Sequence, residues 1–287
     1  MNPAVWGGLC ALGLGGADFV ARYTSRAFGP ANALLGMLLV GAVVLTSWVW
    51  IAAPPLSWTA SGLWLLAVNG VATTVMTLLL YKALARGPVS IVAPIVASHP
   101  VLVVALAVAL GSRPSALQWA AMAATLVGVL VVAACARQFE APGVVSRRDL
   151  RVTVWIAAAS ALAYAVLVSA GQAAVPIYGE LQTLWLGRLV SLGSIALLFM
   201  GRRERPTLPW RWWPVVLGQG LLDAAGYLFL FAGSYGPDPE IAAVAGSTFG
   251  AVTTLLARFV LREAIGGVQW GGILLVFAGV AVLAAYT

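Results

Sequence analysis

Residues 60–88 read ASGLWLLAVNGVATTVMTLLLYKALARGP, and this stretch decides the fold. From Ala60 to Tyr81 no side chain carries a charge; Lys82 and Arg86 then follow, and Gly87-Pro88 ends the run. A helix needs about 20 apolar residues to cross the hydrocarbon of a bilayer. A proline removes the backbone donor that would continue the helix. The stretch therefore reads as one membrane-spanning helix with a basic end, followed by a turn.

The same pattern fills the chain. Apolar runs at 4–22, 31–52, 60–85, 89–110, 115–136, 151–173, 179–200, 212–234, 239–261 and 267–286 give ten spans. Gly29-Pro30, Pro54-Pro55, Gly87-Pro88, Pro142-Gly143 and Gly236-Pro237 punctuate them. Trp58, Trp210, Trp212 and Trp213 stand near span ends, where an indole ring suits the headgroup layer. With 62% hydrophobic and 9% charged residues against about 25% charged in soluble domains, the 287-residue chain cannot cover itself in water. Its partner is the lipid bilayer, and no length remains for a soluble enzymatic or receptor domain. The start, Met1-Asn2-Pro3, lacks the basic region of a cleaved signal, so the first span is expected to be retained.

The net charge of +7 is a topology signal. The arginines sit at span ends, not in a basic stripe with aromatics, which argues against nucleic acid. Loops 1–2, 3–4, 5–6, 7–8 and 9–10 and their flanks carry nearly all the Lys and Arg, from Arg22 and Arg26 to Arg258 and Arg262, and the opposite side has Arg113. The positive-inside rule puts the basic loops in the cytoplasm of a bacterium and both termini outside its inner membrane. Cys10 and Cys135 lie in apolar runs without ligand spacing, so no metal and no cofactor are expected.

The chain repeats itself. Val5-Trp6 returns as Val154-Trp155 and Gly87-Pro88 as Gly236-Pro237; Gln118-Trp119 returns as Gln269-Trp270 and Gly128 as Gly279. The spacing stays near 150 residues, which divides the chain into 1–140 and 141–287. Five spans per half is an odd number, so the second half enters the membrane from the opposite side. The expected fold is an all-α polytopic membrane protein whose two inverted five-helix repeats surround a central cavity.

The series Tyr81-Lys82-Ala83-Leu84-Ala85-Arg86-Gly87-Pro88, Ser90, Pro94, Pro100, Gln118-Trp119 and Gly128 resembles the repeat of the drug/metabolite transporter superfamily. Its echo runs from Ala232 to Pro237, then Leu261-Arg262-Glu263, Gln269-Trp270 and Gly279, and Gly15-Gly16-Ala17-Asp18-Phe19-Val20 resembles the opening helix. The likeness covers nearly the whole chain and is closest to ten-helix EamA-type members, with the aromatic amino-acid exporter branch among the candidates. It implies ATP-independent export of small metabolites, often amino acids. Two positions depart: Ser112 stands where the family often has Glu after the fourth helix, although Glu263 keeps the second such position, and His99 is outside the general pattern.

Polar side chains at membrane depth mark candidate sites, because they are costly unless they face protein or water. His99 lies mid-span between Ser98 and Pro100; it is read as cavity-lining, against a histidine hydrogen-bonded within the bundle. Gln219, Asp223 and Tyr227 fall on one helix face, as do Asn69, Thr73 and Thr77. Asp18 is either a site carboxylate or the i,i+4 partner of Arg22. Arg188 could bind a substrate carboxylate, against a structural reading with Glu180 or Asp223 as its partner, and is left out of the binding set. Tyr164, Ser247 and Tyr81 complete the substrate-binding set, Tyr81 near the basic-loop end as a gate or anchor.

No catalytic or nucleotide-binding constellation is present, so the chain is expected not to be an enzyme. The leading expectation is a monomeric secondary transporter that exports amino acids with aromatic or other apolar side chains by alternating access. The alternative is a proton-coupled multidrug exporter of the same superfamily, with protons as partner. A membrane enzyme or scaffold stands behind both.

Overall fold

The computed structural model describes residues 3–52, 54–109, 113, 115–135, 147–234, 246 and 248–285. The helices are α1 (Pro3–Phe28), α2 (Pro30–Ala52), α3 (Leu63–Arg86), α4 (Val89–Ala97), α5 (His99–Ala109), α6 (Ala116–Ala134), α7 (Arg147–Tyr178), α8 (Glu180–Arg202), α9 (Trp213–Ser234), α10 (Phe249–Val260) and α11 (Gly267–Ala285). No strand occurs among the described residues. The fold is all-α and polytopic. Five segments are by themselves long and apolar enough to cross a bilayer, at Pro30–Ala52, Leu63–Arg86, Arg148–Tyr178, Glu180–Arg202 and Trp210–Leu230. The seam expected between the halves falls at 136–146, outside the described residues.

The helices pair as a two-fold exchange of halves requires. α1 lies along α9 while α3 lies along α7, which pairs spans 1 with 8 and 6 with 3. Likewise α3 packs on α8 and α9 on α2, and α6 pairs with α11. Close approach at these crossings is set by glycines about 150 residues apart. A Cβ on Gly70 would lie 2.5 Å from Val190 Cβ of α8, and one on Gly220 would lie 2.5 Å from Val40 Cβ of α2. Between lipid-solvated helices no hydrophobic driving force acts, so small residues that let backbones touch supply much of the association. The large apolar side chains left outside, such as Trp50, Trp155 and Phe259, face the lipid.

Among the described residues the span expected at 89–110 departs from a single helix; of the span expected at 239–261, residues 239–245 and 247 lie outside the described residues, and α10 starts at Phe249 after a turn at Thr248. The run 89–110 breaks at Ser98 into α4 and α5. Pro100 has no N–H to give the carbonyl of Val96, and its ring crowds that carbonyl. The turn tightens, with Ser98 N donating to Ile95 O at 3.3 Å and Val101 N to Ser98 O at 3.1 Å. His99 Nδ1 sits 3.3 Å from Val96 O. In the tautomer protonated there, the imidazole supplies the donor that the proline removed. Two smaller differences concern ends. α7 begins at least a turn before residue 151 and continues through Pro176 to Tyr178, and a 3-10 turn, Trp210–Trp212, leads into α9.

Candidate functional site

The α1–α3–α7–α9 crossing encloses a cavity of about 30 Å³. That is room for water but not for an amino acid, so in this contracted conformation the cavity is too small to hold one. Asp18, Thr73, Tyr81, Tyr164, Asp223 and Tyr227 all line it, together with Thr77 and Arg188. Leu14, Met37, Met76, Leu80 and Phe249 supply the apolar wall.

Many lining residues come in pairs about 150 residues apart: Leu14 with Tyr164, Met37 with Arg188, Thr73 with Asp223 and Thr77 with Tyr227. The cavity therefore sits on the pseudo-two-fold axis. The first half contributes aliphatic and hydroxyl groups, and the second contributes the charge and the aromatic rings at the matching positions. Asp18 is the exception, a carboxylate from the first half.

Charge in the cavity is arranged around Arg188, whose side chain is 3% exposed. Its Nη2 donates to Asp223 Oδ2 at 2.6 Å. Its Nη1 points at Met37 Sδ, 3.3 Å away, and the guanidinium carbon lies 5.6 Å from the centre of the Tyr227 ring. Of the two acids weighed as partners, Asp223 holds Arg188, while Glu180 Oε2 has no hydrogen-bond partner among the described residues. Asp18 does not pair with Arg22. The Arg22 guanidinium turns instead to Glu263, with Nη1 2.6 Å from Oε1. Helical spacing alone favours the i,i+4 neighbour, but the carboxylate from the α10–α11 loop lies nearer the membrane surface and offers a geometry the helix wall cannot.

Glu263 closes the basic-loop end. Besides Arg22, its Oε1 accepts from Val89 N and its Oε2 from Ser90 N, both at 3.0 Å. It thus satisfies donors at the N-terminus of α4, where a negative charge also meets the helix dipole. One carboxylate of the second half ties α1 and α4 of the first. Closer to the cavity, Gln219 Nε2 donates to the Tyr81 hydroxyl at 2.7 Å and Gln219 Oε1 accepts from Thr24 Oγ1 at 2.8 Å. Gln219 is fully buried in this layer and lies outside the cavity wall.

The remaining candidate residues are placed as follows. His99 stands behind the wall, stacked on Tyr164 with ring centres 3.8 Å apart and planes 8° apart. It backs the lining ring and does not itself line the cavity. Asn69 joins helices: its Nδ2 donates to Leu167 O of α7 at 3.0 Å. Thr73 lines the cavity but spends its proton on Asn69 O at 2.8 Å, the backbone bond common for threonine in a membrane helix. Ser247 lies outside the described residues. Arg258 donates to the carbonyl of Glu263 at 3.3 Å.

Arg188 and Glu263 stand outside the substrate-binding set expected from the sequence, yet Arg188 lines the cavity and Glu263 ties α1 to α4. For Arg188 a signal existed. Superposing the halves puts it opposite Met37, and puts Asp223 and Tyr227 opposite the stripe Thr73–Thr77.

The comparisons agree with this architecture. The pattern of the EamA-like transporter family matches residues 2–134 and again 151–285, once per half. A solved structure titled "Crystal structure of protein" superposes with a TM-score of 0.64 at 17% identity, covering 98% of this chain and 95% of the other, a likeness of fold. No curated protein matches. The chain therefore belongs to the EamA-like transporter family, and is a multi-pass membrane transporter of the drug/metabolite superfamily.

Proposed function

We propose that the protein is a secondary transporter of the bacterial inner membrane that exports amino acids with aromatic or other apolar side chains, by alternating access and without ATP or cofactor. Its repeats, 1–140 and 141–287, are the two bodies that rock about the cavity, as a monomer with both termini extracytoplasmic. It is not an enzyme: its residues bind and release a solute without making or breaking bonds.

The observation that carries this reading is the chemistry of the cavity. Carboxylates at Asp18 and Asp223 stand beside the rings of Tyr164, Tyr227 and Phe249 in one enclosure on the axis between repeats. An ammonium group suits the first and an apolar side chain the second. One observation favours a proton-coupled multidrug exporter as the second reading. Asp18 faces the cavity with no ion-pair partner among the described residues, because Arg22 is held by Glu263. A lone membrane carboxylate is suited to carry a proton or an organic cation.

Reconstituted liposomes separate the two. The expected result is saturable flux of radiolabelled tryptophan, phenylalanine or methionine that persists without a pH gradient. Flux of lipophilic cations alone, and only with a pH gradient, would replace the first reading by the second.

A further inference from the structure

Arg188 is not used as a structural ion pair would use it. A guanidinium buried for stability is typically met by a carboxylate on both prongs of its fork. Here one N–H reaches Asp223 Oδ2 and another faces the thioether of Met37, a weak acceptor. The rest of the fork, Nε included, finds no acceptor among the described residues. Beside α2 the guanidinium lies against Gly41, where an added Cβ would be 3.4 Å from Nε and 3.5 Å from the central carbon, so the glycine leaves it the room it occupies.

Nor does packing demand a cation at this position. The related position of the first half is filled by Met37, and that of Asp223 by Thr73. The charge was placed in one half only, against the cost of burying it, and it lines the cavity.

We infer that Arg188 binds the carboxylate of the transported solute, and that Asp223 occupies the solute's place on the guanidinium while the cavity is contracted. This rests on the reading of the cavity as the transport site and adds to it a recognition residue. An incoming carboxylate takes the free prongs of Arg188. Asp223 then turns to the solute's ammonium, which Asp18 meets from α1. The result is an alternation of charges along the wall that matches a zwitterion, and its apolar body rests on Tyr164 and Tyr227.

The test compares three ligands with the same phenyl body, phenylalanine, phenethylamine and 3-phenylpropionate, by equilibrium binding to the full-length protein in lipid nanodiscs. In the natural protein phenethylamine is expected to bind at least ten-fold more weakly than phenylalanine. Arg188→Gln is expected to weaken phenylalanine and 3-phenylpropionate at least ten-fold while leaving phenethylamine unchanged or tighter. Asp223→Asn frees the guanidinium and is expected to tighten 3-phenylpropionate several-fold, which keeps the test alive should Arg188→Gln fail to fold. Equal binding of phenylalanine and phenethylamine by the natural protein would overturn the role of Arg188 and leave the cavity as the transport site. Absence of binding by all three would overturn the amino-acid reading, and this inference with it.

Discussion

Glutamine at position 263 should loosen the basic-loop end of the transporter. The carboxylate holds the Arg22 guanidinium at 2.6 Å and two backbone N–H groups at 3.0 Å, with the two side chains only 13% and 9% exposed. Glutamine keeps the shape and one oxygen, so one of the N–H groups at α4 remains satisfied. With its oxygen at the Oε1 position it still accepts from Arg22 and Val89 N but without the charge, and its N–H₂ then faces the Ser90 N–H, a donor against a donor; turned the other way it loses Arg22 and Val89 together. A hydrogen bond to a charged group contributes about 1.5–3 kcal/mol, and breaking a fully buried pair costs about 3–5 kcal/mol. The partial exposure places Glu263→Gln at about 2 kcal/mol. At about 1.4 kcal/mol per factor of ten, the ratio of open to closed basic-loop ends rises about 30-fold. The assay places cysteine at Thr77, on the cavity wall, after Cys10 and Cys135 are replaced by alanine. The rate of alkylation by an impermeant maleimide is then measured from each face of the membrane. Labelling from the basic-loop face should speed up by about that factor, and Arg22→Gln should do the same without adding to it. An unchanged rate from that face would refute the reasoning.

Other expectations concern packing and the broken span. Gln219→Leu leaves the hydroxyls of Tyr81 and Thr24 without their shared partner and should lower stability by about 1–3 kcal/mol, read as the unfolding midpoint in detergent. Gly128→Leu should separate α6 from α11, since even a Cβ there would lie 2.7 Å from Gly272 O; a cost of about 1–3 kcal/mol is expected in the same measurement. His99→Ala should cost less in a Pro100→Ala background, where the introduced alanine returns a backbone donor to Val96 O. A coupling of about 0.5–1.5 kcal/mol in the double-mutant cycle would show it, and strict additivity would deny that His99 replaces that donor.

The fold was legible because each of its determinants is local or periodic. Long apolar runs, Gly-Pro punctuation and the return of short motifs after about 150 residues need no knowledge of neighbours. The break at Ser98 is foreshadowed by Pro100, but the sequence does not say which group answers the freed carbonyl. The lining of the candidate cavity was legible only where a stripe met the axis. The helix carrying Gln219, Asp223 and Tyr227 turns one face inward, yet Gln219 falls one layer below the cavity, bonded to Tyr81 and Thr24. Asn69 begins a stripe of the same kind and ends as a bond to α7. Long-range partners stayed hidden. Arg22 could be assigned from spacing only to Asp18, whereas its actual partner, Glu263, lies 241 residues away. The matching of Met37 with Arg188 and Thr73 with Asp223 shows that the two-fold relation, once found, carries more site information than any single helix.

The central claim is that solute crosses through the cavity between the repeats. The direct test is flux of radiolabelled tryptophan, phenylalanine and methionine into proteoliposomes, comparing the natural protein with Thr77→Trp, which fills the cavity. Saturable flux of at least one of them, lost in the filled variant while its helicity and monodisperse elution are retained, is the predicted result. Flux that survives the filled cavity would contradict the account.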